Sequence, residues 1–251
     1  VNAPLATTQA LEVFLRGFSM TRSFIRPYPV RQIGSSLWLL ADASSGSGPE
    51  RTPQMVAYNA RPEEVVEARK RLEIERHTLC VLIEDAGSAA SISSAYKRLG
   101  YRLWGREPLF VLDVAERVRF NAVSVRRITQ AEEAEAVAKA ARSRQIFPQH
   151  LTEADSDCRL YAAFDGEKPV GWARSIRTHP DCSWVAGLFV AEAYRRKGIG
   201  RTLMSTMLDD DARYGVQWSV LLASLTGAKL YPHLGYAERG LLLVFTPRKD
   251  S

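Results

Sequence analysis

Between Leu188 and Leu203 the chain passes from an apolar, strand-like run, Leu188-Phe189-Val190, through Arg195-Arg196-Lys197-Gly198-Ile199-Gly200-Arg201 into an amphipathic helix pattern. A helix opening leaves its first amide hydrogens without intrahelical acceptors and carries the positive end of the helix dipole. Gly198 and Gly200 let main-chain N–H groups approach an anion closely, and Arg195, Arg196, Lys197 and Arg201 add charge-assisted donors. The segment therefore predicts a cradle for a pyrophosphate at the start of a helix. Taken alone, a basic glycine turn is also what an ordinary strand-to-helix connector looks like, so the surroundings decide.

Downstream lie a second apolar run, Val220-Leu221-Leu222-Ala223, then Ala228-Lys229-Leu230-Tyr231-Pro232-His233-Leu234-Gly235-Tyr236, and a strand-like Leu241 to Phe245. With these pieces in order the second half of the chain resembles the GNAT superfamily of acetyl-CoA-dependent N-acetyltransferases. In that family the phosphate loop follows the fourth strand, and a Leu-Tyr-x-x-Leu-Gly-Phe/Tyr segment closes the unit after the fifth. The resemblance implies an α/β (α+β) fold with a mixed, mostly antiparallel sheet flanked by helices.

A repeat relates the two halves. Tyr96-Lys97-Arg98-Leu99-Gly100-Tyr101 and Gly105 match Tyr231-Pro232-His233-Leu234-Gly235-Tyr236 and Gly240 at a constant offset of 135 residues. Each copy follows an apolar strand and precedes another, so duplication is the natural reading. The first copy has no basic glycine loop. Ala43-Ser44-Ser45-Gly46-Ser47-Gly48 has glycines without flanking bases and reads as a surface loop, and Asn59-Ala60-Arg61-Pro62 reads as a helix start. Two GNAT-like domains are expected: a degenerate one over residues 1–118, and an acetyl-CoA-binding one over 119–251. The linker falls near Ala115 to Asn121. Duties open to the first half are packing against the second, walling the acceptor site, or forming a homodimer.

Periodicity places helices over Leu5 to Thr21, Glu63 to Leu72, Glu132 to Arg142 and onward from Ile199 to a stop at Gly215. Strands are expected at Leu37 to Leu40, Met55 to Tyr58, Val81 to Ile83, Leu109 to Leu112, Val123 to Ile128 and Trp184 to Val190. Cys158 to Phe164 and Pro169 to Ile176 flank Asp165-Gly166-Glu167-Lys168, a hairpin signal.

At 251 residues the chain has room for one large domain or two ordinary ones. Its net charge of +6 suits an anionic partner, of which coenzyme A is one. Nucleic acid is not expected, because the basic residues are dispersed and no binding signature appears. Nor is a membrane, since no apolar run is long enough to span one, and neither a signal peptide nor a lipidation motif is visible. Cys80, Cys158 and Cys182 lack metal-ligand spacing and suit reduced thiols in the cytoplasm. No metal is expected.

The chemistry implied by the resemblance is attack of a neutral amine on a thioester, in a ternary complex with acetyl-CoA and an amine of a small molecule or protein. Leu188, Phe189 and Val190 would offer backbone groups to the pantetheine arm, where the family's fourth strand splays away, often at a bulge. Tyr231 stands where the family places a tyrosine that hydrogen-bonds the coenzyme sulfur and can protonate the departing thiolate. Ser224 replaces a common asparagine and keeps a hydrogen-bonding group for the pantetheine. Glu192 replaces a common proline and joins His179 and Asp181 as a candidate general base. Glu153, Asp155 and Asp157 are placed to attract a cationic amine. The rival reading is a noncatalytic acyl-CoA-binding regulatory module.

Overall fold

A computed structural model describes residues 4–22, 27–42, 51–153 and 156–248. The Gly/Ser run at 43–48 and Asp155 lie outside the described residues. The first half comprises α1 (Thr7–Arg22), β1 (Val30–Gly34), β2 (Leu37–Leu40), β3 (Gln54–Tyr58), α2 (Pro62–Arg71), β4 (Thr78–Ile83), α3 (Ala89–Arg98) and β5 (Tyr101–Asp113). The second comprises β6 (Val125–Arg127), α4 (Ala131–Ala141), α5 (Gln149–Thr152), β7 (Cys158–Asp165), β8 (Lys168–His179), β9 (Cys182–Val190), α6 (Ile199–Arg213), β10 (Trp218–Leu222) and β11 (Ala237–Pro247).

Local sequence accounts for most of these bounds. Pro62 opens α2 with its fixed φ, and the Glu64 carboxylate accepts the Arg61 N–H at 3.2 Å. Gly215 takes φ +79° just past the end of α6, in the left-handed region that favours glycine. The β7–β8 hairpin turns at Gly166, φ +59°, with Asp165 paired to Lys168. Strand β1 carries only a partly buried pattern, and the sequence gives it no apolar alternation to read.

The halves do not form separate sheets. All strands join one sheet in the order β1-β2-β3-β4-β11-β5-β10-β9-β8-β7-β6. The last strand of each half lies inside the other's territory: β11 pairs with β4 and β5, and β5 pairs with β11 and β10. Among the described residues only β3–β4 and β9–β10 run parallel. The exchange leaves neither half with an open edge at the centre, where exposed N–H and C=O groups would invite foreign pairing.

One face of the sheet is covered by α1, α4 and α5, around Phe14, Val111, Leu160, Trp184 and Val220. The other carries two clusters: α6 with Phe110, Val185, Leu203 and Met207, and α2 with α3 around Met55, Tyr96 and Phe245. Helix α1, from the first half, packs on β8, β9 and β10 of the second. Gly17 makes this approach possible, because a Cβ there would sit 2.1 Å from Trp184 Cγ.

The repeat is also structural. Gly100 and Gly235 take φ +86° and +92°. The following tyrosines, Tyr101 and Tyr236, meet Tyr96 and Tyr231 edge-on, with ring centroids 5.7 and 5.6 Å apart.

Because the central strands are exchanged, urea unfolding followed by tryptophan fluorescence and by far-UV circular dichroism is expected to give one coincident transition. Gly17→Ala should shift that whole transition by about 1–3 kcal/mol, the usual cost of overpacking. Two separated transitions, with only one moved by the substitution, would contradict the shared sheet.

Candidate active site

The connection from β9 to α6 builds the cradle. A 3₁₀ turn at Glu192–Tyr194 leads into Arg196, φ +61°, and Gly198, φ +80°, which is the helix N-cap. Glycine offers no side chain to cap the first-turn amides, so the N–H groups of Ile199, Gly200 and Arg201 stay available to a ligand. A cavity of about 420 Å³ opens over them, lined by Val190, Arg195, Arg196, Gly198, Ile199, Gly200 and Arg201 together with Phe120, Tyr194 and Leu230. Seven residues proposed from the sequence therefore meet in one place. Lys197 is exposed outside that lining, its Nζ 5.1 Å from the centre of the Tyr194 ring.

Phe120 was not legible as a site residue. The segment joining the halves lies along α6: Phe120 N–H donates to Ser205 Oγ at 2.8 Å, Ala122 N–H to Thr202 Oγ1 at 3.2 Å, and Arg117 Nε to Asp209 Oδ1 at 2.7 Å. Thr202, Ser205 and Asp209 follow helical spacing, so one face of α6 pins the linker. This fixes the Phe120 ring beside Gly198, where a Cβ would approach Phe120 Cε1 to 2.9 Å. The Arg201 guanidinium lies over the same ring at 4.0 Å, a cation–π contact that aims it along the cradle wall.

Strands β9 and β10 fork next to the cradle. They pair at only three positions, Cys182–Trp218, Ser183–Ser219 and Trp184–Val220, and then separate. On its other side β9 carries a bulge, where Gly187 and Leu188 oppose Ala173 alone. Gly187, at φ +64°, leaves room for the buried Arg174, whose Nη2 would lie 2.6 Å from a Cβ. The edge of β9 from Val185 to Val190 thus faces the gap without a strand partner, with Leu188 and Val190 half-buried. Phe189 is turned outward and stacks on Trp172 at 4.5 Å.

Tyr231 enters from the opposite side of the fork, in the 3₁₀ turn Tyr231–Leu234. Its ring packs 5.5 Å from that of Phe110. Burial pushes its phenol up to about 12, and no group among the described residues hydrogen-bonds its hydroxyl. Leu230, one residue earlier, borders the cradle, and Gly200 lies between Leu230 Cδ2 and Val190 Cγ2, with 3.7 Å to each from a Cβ position.

The other sequence candidates do not line the cradle. Ser224 is exposed and caps its own turn, accepting the Gly227 N–H at 3.1 Å. Glu192 is exposed in the turn that feeds the cradle. His179 and Asp181 occupy the β8–β9 turn at the closed end of the fork, where the Asp181 carbonyl accepts the N–H groups of Gln217 and Trp218. At about 3.3 Å per residue they lie roughly 20 Å along β9 from Leu188, too far for proton transfer there. Burial beside Arg16 also lowers the His179 imidazole below its ordinary range. Glu153 is exposed near His150, and Asp157 pairs with Arg177 at 2.8 Å. Another cavity, of about 620 Å³ between Arg51 and Arg76, belongs to the first half and holds none of these groups.

The sequence profile of the Acetyltransferase (GNAT) family matches residues 124–236. A search of curated protein sequences returns no match. Among solved structures, a GCN5-related N-acetyltransferase from Kribbella flavida is similar over 96% of each chain, at 17% identity and a TM-score of 0.69. A functionally unknown conserved protein from Staphylococcus epidermidis shares 14% identity over 89% of this chain and 95% of its own, at 0.58. A tandem GNAT protein from the clavulanic acid biosynthesis pathway shares 16% identity over 86% and 84%, at 0.52. These likenesses show the fold, and the profile match falls on the half that contains both the cradle and the fork. Residues 124–236 accordingly match an acetyltransferase domain of the GNAT family, and that match together with the shared fold supports an acyltransferase.

Proposed function

We propose that the protein transfers an acetyl group from acetyl-CoA to a primary amine by direct attack in a ternary complex. The observation that carries the reading is the convergence of an anion cradle, an unpaired strand edge and a partnerless tyrosine hydroxyl on one fork. Acetyl-CoA supplies an acetyl group activated as a thioester. The amides of Ile199 to Arg201, with Arg195 and Arg196, hold its diphosphate. The β9 edge from Val185 to Val190 receives the pantetheine arm as an added strand would be received, and Leu230 and Val190 bound the passage.

Tyr231 donates its hydroxyl hydrogen to the sulfur as negative charge gathers there. A phenol at about 12 stands roughly 3–4 units above an ordinary thiol, so complete proton transfer to a thiolate would cost about 5 kcal/mol. A hydrogen bond stabilises the leaving group without that cost, and the thiolate takes its proton from water after release. Glu192 stands at the phosphate end of the arm, where its charge opposes the anion, so the proton acceptor for the amine is sought elsewhere.

The reading includes two GNAT-like units, residues 1–118 and 119–251, of which only the second binds coenzyme. Cys80, Cys158 and Cys182 are buried and form no disulfide among the described residues, which suits a reducing compartment and leads us to place the activity in the cytoplasm. No described helix is long and apolar enough to cross a membrane.

Isothermal titration of the protein with acetyl-CoA should give saturable heat. Gly198→Glu should abolish it, since it places a carboxylate in the cradle at a positive φ and against Phe120. Tight binding without turnover on any amine would instead favour the noncatalytic module.

Tyr231→Phe should lower kcat roughly 10–100-fold while the coenzyme Kd moves less than about threefold. Equal kcat in the variant and the parent would remove the proposed donor.

Phe120→Ala should weaken coenzyme binding about 5–30-fold, because it removes the surface that orients Arg201. An unchanged Kd would show the linker to be a bystander.

A further inference from the structure

On the α1 face of the sheet, opposite Tyr231, a second cavity of about 370 Å³ opens beside the end of β10. Phe14 and Phe18 of α1, Trp104 and Glu107 of β5, Leu222 of β10 and Val244 of β11 form most of its wall. Its position follows from the register. Phe14 packs 5.7 Å from Trp184, the last residue of β9 that pairs with β10. Leu222 lies two residues beyond Val220, the matching last paired residue of β10, and so forms a lip of the gap. The cavity and Tyr231 therefore lie on opposite faces of the sheet beside the end of β10, an arrangement in which an amine would add to the thioester carbonyl from one face while the sulfur lies toward the tyrosine.

Glu107 is the one charged residue lining this cavity among the described residues. It projects beside Leu109 and Val111 on the α1 face, opposite Leu242 of β11. No salt bridge or hydrogen bond engages its carboxylate among the described residues, and burial raises its carboxyl above the usual range. A half-buried carboxylate without a partner is costly unless something cationic meets it. Three aromatic rings line the same cavity, of which Trp104 is 73% exposed and forms the rim. Aromatic faces and one carboxylate are the elements that recognise an organic cation, and the volume suits a small molecule.

We infer that this cavity is the acceptor site, that its substrate is a protonated primary amine on an apolar body of about one aromatic ring, and that Glu107 is the residue that binds and deprotonates it. The inference rests on the acetyl-transfer reading above. The Glu107 carboxylate takes one proton from the ammonium. The neutral nitrogen then attacks the acetyl carbonyl carbon, the C–N bond forms and the C–S bond breaks, and the electron pair leaves on sulfur. The second nitrogen-bound proton shed in forming the amide passes to water, and Glu107 returns its own proton to solvent with the product. The first half, without a cradle of its own, thus contributes the base and all three aromatic rings to the second.

The test titrates 2-phenylethylamine into protein saturated with coenzyme A, and assays its acetylation against 2-phenylethanol and glucosamine. The parent should bind and acetylate 2-phenylethylamine in preference to both others. Glu107→Gln, which keeps shape and fold, should leave the acetyl-CoA Kd within about twofold, weaken the amine at least tenfold and lower kcat at least thirtyfold. Leu222→Trp, which fills the cavity, should raise the amine KM and spare the coenzyme Kd. Coenzyme binding with no amine binding in the parent, or unchanged amine kinetics in Glu107→Gln, would overturn the assignment while leaving the coenzyme site in place. Failure to bind acetyl-CoA at all would overturn the acetyl-transfer reading itself.

Discussion

The buried carboxylate of Asp211 holds the machinery in register. It sits on α6 with no exposed surface and receives the guanidinium of Arg159 from β7, the Ser175 hydroxyl from β8 at 2.7 Å and the Ser183 hydroxyl from β9 at 2.8 Å. One side chain therefore ties the cradle helix to three successive strands. A buried ion pair repays its desolvation only when hydrogen bonds satisfy its remaining polar atoms; the two serines do so for Asp211, while Arg159 Nε and Nη1 are buried without a partner among the described residues. Tyr214 closes the other side, with Arg159 Cζ 4.4 Å over its ring. Losing one partner of such a pair costs about 3–5 kcal/mol, more than most single core contacts contribute. The clamp gives position as well as stability: it fixes α6 along its axis, and so fixes where the amides of Ile199 to Arg201 point relative to the end of β9.

The exchanged strands give the first half a structural reason to persist without a cradle. Strand β10 needs β5 as its antiparallel neighbour, from Trp218–Asp113 to Leu222–Leu109. The fork exists because β10 is held on that side while it releases β9 on the other. Helix α1 adds a second dependence by covering β8 to β10 through Gly17. A half cut at residue 118 would lose its central neighbour and one helical cover together, exposing a sheet edge and an apolar face.

What the sequence made legible was local. The cradle is contiguous, its glycines and arginines follow from helix-end electrostatics, and the structure gathers two of those glycines and three of those arginines around one cavity. The β7–β8 hairpin and the stop at Gly215 were readable for the same reason. Glu107, Phe14 and Leu222 come together only through strand exchange, and no spacing in the chain announces that. Gly187 did leave a signal, as an isolated glycine inside a strand pattern, which marks a bulge or a close approach. His179 and Asp181 illustrate the converse failure. Their residue types suit a base, but the polarity of β9 sends them to the paired end of the fork, and only the pairing register reveals which end opens.

The two copies of the repeat show what turns a scaffold into a site. Tyr96 in the last turn of α3 and Tyr231 in a 3₁₀ turn each precede a glycine of positive φ and an edge-on tyrosine, yet the Tyr96 hydroxyl is buried without a partner among the described residues while Tyr231 follows a residue that lines the cradle. The difference begins one strand earlier. Strands β3 and β4 pair over five positions from Gln54–Thr78 to Tyr58–Leu82, so no gap opens beside them. The helix that follows β3 starts with Pro62, Glu63 and Glu64, which places two carboxylates where α6 offers glycine and arginine, and Glu64 already occupies the amide at the helix start. An anion would meet repulsion and a filled cap there. Pairing two residues short of the strand end, and leaving a helix uncapped, are both locally unfavourable. The second half retains both features where they face a ligand, and the first has lost both.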